Sequence, residues 1–169
     1  FVMNRESSRR KFLTQTAKGA GVAAGALTVG ASAPAESKEG ISKKKVIARP
    51  GQPITPATIL SPAIQFGSLL FVSGQTAHDP STQKLAAGTF QDHVRQSLEN
   101  VKAVLEAAGS SMERVLKCTV FLTDIADFQA MNEVYHGFFP SDPPARSTMA
   151  VKDLPGGTPV EIECIAYTA

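Results

Sequence analysis

From Val160 to Tyr167 the sequence VEIECIAY alternates with a period of two. Val160, Ile162, Cys164 and Ala166 share one side of an extended strand, and Glu161, Glu163, Ile165 and Tyr167 share the other. Such a strand buries one face and leaves a mixed face that still needs a cover. The preceding run, Pro143-Pro144-Ala145-Arg146, is stiffened at its entry by two prolines, so Arg146 leaves from a fixed backbone. A Pro/Gly loop, Leu154 to Gly157, separates the two runs, and the simplest reading joins them as a hairpin.

The rest of the chain supplies layers for that strand. Between Thr89 and Ala108, apolar residues Val94, Leu98, Val101, Leu105 and Ala108 recur at three- and four-residue steps, which predicts a helix with one apolar stripe. Thr89 with Asp92 three residues on predicts its start, and Gly109 its stop. Val115–Leu122 predicts a strand apolar on both sides, with Leu116, Cys118, Val120 and Leu122 sharing one of them. Phe128, Met131, Tyr135 and Phe138 predict a second helix over Asp127–Phe138, closed by Pro140. Val46–Ala48 opens a first strand, and Phe66–Gln75 predicts a tight turn followed by a buried strand. The order predicts an α+β fold with both helices on one face of the sheet. The other face, with Lys117, Thr119, Phe121, Glu161, Glu163 and Ile165, is too apolar for water alone, which implies a homo-oligomer.

Charge excludes one class of partner. The formal net charge is +2, but five basic residues precede residue 34 against one acid, so the remainder carries net −2. Nucleic-acid binding needs a dense basic patch, and Lys43–Lys45 is the only basic run left. The early basic residues have another reading. Ser8-Arg9-Arg10-Lys11-Phe12-Leu13 has the form of a twin-arginine export motif, followed by an apolar run from Gly19 to Gly30 and by Ala31-Ser32-Ala33, a small-residue cleavage pattern. The run's 12 residues are too few to cross a bilayer of roughly 30 Å at ~1.5 Å per residue. Residues 1–33 are therefore expected to be a signal peptide with Met3 as initiator, residues 34–45 a flexible linker, and 46–169 the folded domain. The expected location is the periplasm, with no membrane attachment after cleavage.

His78, His93 and His136 show no metal-ligand spacing, and no glycine loop suits a phosphate. Cys118 and Cys164 fall on apolar sides of strands and read as buried thiols, with a disulfide left open by export. Arg146 and Glu161 remain. The planar fork of an arginine suits a carboxylate, and a glutamate can hold a water and shuttle a proton. The plainer alternatives are a structural ion pair for Arg146 and a solvated edge for Glu161. In a simple hairpin Arg146 lies opposite Ile165, about four residues or ~14 Å from Glu161. A joint site then requires Arg146 from one chain and Glu161 from its neighbour.

These residues belong to a larger pattern. Ser73-Gly74-Gln75, Gln96–Lys102, Thr119–Leu122, Asn132–Tyr135 running to Phe138-Phe139-Pro140, Pro144–Ser147 and Val160–Glu163 occur in the order and spacing of the Rid, or YjgF-type, family. The chain from Ile54 to Ala169 resembles that family throughout. The resemblance implies a chorismate-mutase-like fold, a homotrimer whose sheets form a central barrel, and three clefts between subunits. It implies cofactor-independent hydrolysis of enamines and imines of the 2-aminoacrylate/2-iminopropanoate type to 2-oxo acids and ammonia, with no metal. It assigns carboxylate binding to Arg146 with the Thr148 backbone N–H, water to Glu161, hydrogen bonding near the reacting carbon to Ser73-Gly74, and a place near the cleft to Asn132. The chain departs from the best-studied members where Leu60 stands in place of a tyrosine and Thr148 in place of a frequent cysteine. Leu60 implies a more apolar substrate side chain. Other readings of the same pocket are a non-catalytic binding protein for small carboxylic or 2-oxo acids, a ribonuclease, against which the charge argues, and a holdase chaperone.

Overall fold

The apolar stripe forms helix α1, Phe90–Ala107, with Val94, Leu98, Val101, Val104 and Leu105 fully buried. Its start is the expected reciprocal cap: the Asp92 N–H donates to Thr89 Oγ1 at 3.4 Å, and the Thr89 N–H donates to Asp92 Oδ2 at 2.8 Å. Beyond its end Gly109 takes φ 76°, a left-handed conformation that stops a helix without a Cβ penalty. The computed structural model describes residues 43–169. The expected signal peptide and most of the expected linker lie outside the described residues.

The remaining elements are β1 (Lys45–Ile47), β2 (Ala63–Phe66), β3 (Leu69–Thr76), β4 (Val115–Leu122), α2 (Phe128–Phe138), β5 (Ala145–Ala150) and β6 (Val160–Tyr167). They make one six-stranded sheet in the order β1-β2-β3-β6-β4-β5. All pairings are antiparallel except β4 with β5, which is parallel. Both helices cover one face: α1 packs on β3 and β6, and α2 packs beside α1. The α+β expectation with helices on one side is met.

Two expectations are corrected. β5 and β6 are not a hairpin, because β4 lies between them. Burial explains the exchange. On β6, Val160, Ile162, Cys164 and Ala166 are nearly inaccessible, so that strand suits the centre of the sheet. On β5, ARSTMA is half-buried at best, so it suits an edge, reached by the crossover through α2. The second correction concerns Leu116. A register shift between Val115 and Lys117 makes it an extra residue, and it points outward, 47% exposed, while Val115 takes the buried place.

The core lies between sheet and helices, with Leu70, Leu98, Leu105, Leu122, Met131 and Ile162 among its largest fully buried side chains. The opposite sheet face stays open, and Leu69, Phe71 and Tyr167 are each at least 40% exposed there. Cys118 and Cys164 face each other across β4 and β6 as free, buried thiols. Burial pushes both thiols above their ordinary pKa.

Candidate active site

A bulge places Glu161. Val72 pairs with Cys164 and Gln75 with Ile162, so β3 spends one residue more than β6 between those pairs. The extra length falls at Ser73-Gly74, bringing the Gly74 backbone under the Glu161 side chain. The approach is so close that a Cβ on Gly74 would lie 1.6 Å from Glu161 Oε1. Only glycine leaves the Glu161 carboxylate where it stands. Ser73 clips the neighbouring segment: its hydroxyl donates to the carbonyls of Ser61 and Pro62 at 2.6 and 2.9 Å. That bond holds the chain just past Leu60, which is 61% exposed at the rim of a cavity of about 380 Å3. Glu161, Gly74, Leu60, Thr76 and Arg49 line this cavity. Burial, with the like charge of Glu163 second, raises the Glu161 pKa above its ordinary value.

Arg146 occupies a different cavity, of about 570 Å3, lined also by Asn132, Tyr135 and Phe139. Its position follows from the edge strand and from α2. Asn132 Oδ1 accepts from Arg146 Nη2 at 2.7 Å. The guanidinium carbon sits 4.5 Å from the centroid of Tyr135 and 5.6 Å from that of Phe128, a cation–π arrangement that fixes the plane of the fork. Phe139 packs on Tyr135 at 4.6 Å between centroids and stiffens that platform. The Tyr135 hydroxyl is buried, and burial holds its pKa far above the phenol range.

Thr148 follows Arg146 on the same side of β5, and its hydroxyl is buried without a partner. Its backbone N–H faces the other way from β4. The Val151 N–H donates to the Leu122 carbonyl at 2.8 Å, and amides along a strand alternate in direction, so the Thr148 N–H turns to the free edge of the sheet. An arginine fork and an edge-facing amide on one strand are donors of the kind that suit a carboxylate.

Within one chain the two halves do not meet. Arg146 is level with Cys118, which is level with Cys164 on the helix-covered face. Glu161 pairs with Phe121 on the open face. Two strand widths and three residues of offset separate them by roughly 14 Å, at ~4.8 Å per strand and ~3.3 Å per residue. The separation expected from a hairpin survives, for a different reason. Among the described residues, no group of three or more His, Cys, Asp or Glu side chains could hold a metal ion.

The family model described as Endoribonuclease L-PSP matches residues 51–168. The chain belongs to that family, also known as Rid. A RutC family protein of Pyrococcus horikoshii is 47% identical over 116 residues, covering 69% of this chain and 90% of the relative. A relative from Dermatophagoides farinae named 2-iminobutanoate/2-iminopropanoate deaminase is 40% identical over 127 residues, covering 74% and 97%. The crystal structure of Escherichia coli TdcF with bound serine superposes with a TM-score of 0.67 at 40% identity, covering 74% of this chain and 99% of that one. Rid membership agrees with the superposition of this fold on solved members of the family.

Two residues of this Rid protein's site escaped the sequence reading. Arg49 comes from the proline-rich segment before β2, where no periodicity exists to flag a side chain. Tyr135 is one of four aromatic and Met positions on the α2 stripe, so pattern alone makes it core. The only signal for Arg49 was a lone arginine held between Ala48 and Pro50 in a stretch with no helix or strand to serve.

Proposed function

We propose that the protein hydrolyses imines of 2-amino acids to 2-oxo acids and ammonia, in clefts completed by neighbouring copies of the same chain. The observation that carries the reading is the division of labour between the two cavities. Arg146 and the Thr148 amide form a carboxylate receptor, Glu161 sits on Gly74 as a proton-exchanging group, and they lie too far apart in one chain to share a small ligand. The proposed assembly is a homotrimer that docks the open sheet faces together, and the exposure of Leu69, Phe71 and Tyr167 on that face supports it. A relative's name as an imine deaminase and another's bound serine, an amino acid with the same carboxylate, support the substrate class.

The reaction balances simply. Water adds to the imine carbon as Glu161 takes one of its protons and passes it to the nitrogen, giving a carbinolamine. Glu161 then moves the hydroxyl proton to the nitrogen, so the C–N bond breaks with release of ammonia and the C=O bond of the 2-oxo acid forms. Arg146 fixes the carboxylate, so that hydrolysis becomes an oriented step rather than a chance encounter. A carboxylate with a raised pKa exchanges protons nearer neutral pH than an ordinary glutamate.

The test is a coupled assay in which an amino-acid oxidase makes the imine and ammonia release is followed against spontaneous hydrolysis. Wild-type protein accelerates release, and Arg146→Ala abolishes the acceleration while light scattering still reports three chains. An active Arg146→Ala protein overturns the assignment. Binding of 2-oxo acids without acceleration favours the non-catalytic carboxylate-binding reading instead. Export to the periplasm is part of the proposal, and N-terminal sequencing of the periplasmic protein tests it by the expected start after Ala33.

A further inference from the structure

Arg49 lines the same cavity as Glu161, and among the described residues no carboxylate forms an ion pair with it. A turn at Pro50-Gly51 fixes its backbone: the Gln52 N–H donates to the Arg49 carbonyl at 3.1 Å, and Gly51 takes φ 73°. Its Nη2 donates to Gln75 Oε1. Gln75 is 1% exposed, and its amide nitrogen donates to the Ser73 carbonyl at 2.7 Å, so the amide cannot turn its oxygen away from Arg49. Arg49 Nε is buried without an acceptor. Burial lowers the Arg49 pKa, and no carboxylate offsets that effect. A guanidinium carries five N–H donors, and a neutral amide answers few of them. A half-buried cation that lines a cavity, with one buried donor idle and no carboxylate paired to it, is incomplete.

We infer that Arg49 is a specificity residue that binds a second anionic group on the substrate, so that the cleft prefers imines of dicarboxylic amino acids over those with apolar side chains. The inference rests on the imine-hydrolase reading. There the neighbour's Arg146 holds the 1-carboxylate, and the reacting carbon lies at Glu161 and Gly74. The substrate side chain then extends into the remaining cavity, of about 380 Å3, where Arg49 supplies the one cationic group. An apolar side chain would leave that guanidinium desolvated and unpaired, whereas a carboxylate meets its fork with two charge-assisted hydrogen bonds. This reverses the preference implied by Leu60. That residue stands at the exposed rim, while Arg49 is the more buried of the two.

The experiment uses the full chain and two readouts. Calorimetry gives the affinity ratio of 2-oxoglutarate to 2-oxobutanoate, and the coupled assay gives the kcat/KM ratio for the imines that oxidases make from glutamate and from 2-aminobutanoate. Both ratios are expected to favour the dianion by about tenfold or more, the usual worth of a charge-assisted pair. Arg49→Met should lower each ratio at least about tenfold, and Arg49→Lys should recover part of it, since the charge returns without the fork. A wild-type ratio near one, or a ratio unmoved in folded Arg49→Met, overturns the inference. Should Arg49→Met fail to fold, as judged by circular dichroism, the wild-type ratios and Arg49→Lys decide. If no imine is hydrolysed faster, the deaminase reading fails, and the affinity ratio still judges Arg49.

Discussion

Adding one methyl group at Gly74 tests the catalytic half-site directly. In Gly74→Ala the new Cβ would fall 1.6 Å from Glu161 Oε1, 2.6 Å from Cδ and 2.9 Å from Cγ. Ordinary contact begins at 3.4 Å, so the carboxylate must retreat by about 1.8 Å from where it stands. The backbone does not resist, because Gly74 is not among the residues with positive φ. The fold is expected to tolerate the change. The loss of unfolded-state freedom favours alanine by about 0.4–1 kcal/mol, and an off-rotamer Glu161 costs a similar amount. Catalysis has no such compensation. Displacing a reacting group by about 1 Å costs on the order of 100-fold, or about 2.7 kcal/mol of barrier. Arg146 belongs to the other cavity and keeps its hold on the carboxylate, so the loss should appear in kcat rather than KM. The assay is steady-state ammonia release on wild-type and variant, with melting temperatures beside it. A Gly74→Ala protein with kcat within about threefold of wild type would falsify the role given to Glu161.

Asn132→Ala removes the 2.7 Å hydrogen bond to Arg146, and kcat/KM should fall roughly tenfold through KM, as measured with any active imine. Glu163→Gln removes the like charge that helps raise the Glu161 pKa. If ionised Glu161 is the active form, activity rises with pH through a value above 4.5 in wild type, and that limb should move to lower pH in the variant. A pH profile of kcat/KM that does not move, or moves upward, rejects the pairing. Leu98→Ala opens a hole in a site with no exposure and should cost about 2–5 kcal/mol, read from urea unfolding.

How much of this was legible beforehand depended on whether a residue sat in a periodic element. α1, β4, α2 and β6 fell within a residue of their expected ends, because each carries a stripe that only one period satisfies. The strand order was not legible. Alternation along β5 and β6 says which side chains share a face, but two short strands joined by a loop are compatible with pairing directly or around a third. What decided the matter was a comparison between strands. Polar ARSTMA fits an edge and apolar-backed VEIECIAY fits a centre, and the crossover through α2 leaves a place between β3 and β4. The Leu116 bulge was invisible for a related reason, since one inserted residue flips the faces without altering composition.

The site divides along the same line. Arg146 and Glu161 stand on strands, so alternation assigned each a face, and their expected separation led to the expectation of a site shared between chains. Arg49 stands on an irregular segment constrained by Pro50, Gly51 and a glutamine 26 residues away in sequence. No local pattern can announce such a residue, because its meaning arises only when the Gln75 side chain, itself fixed by the bulge, points back at it. The bulge therefore does two things at once. It lets Glu161 lie on the Gly74 backbone, and it turns Gln75 to hold the Arg49 guanidinium in the same cavity. That Arg49 is held half-buried, with no carboxylate paired to it among the described residues, is the observation on which the substrate preference stands or falls.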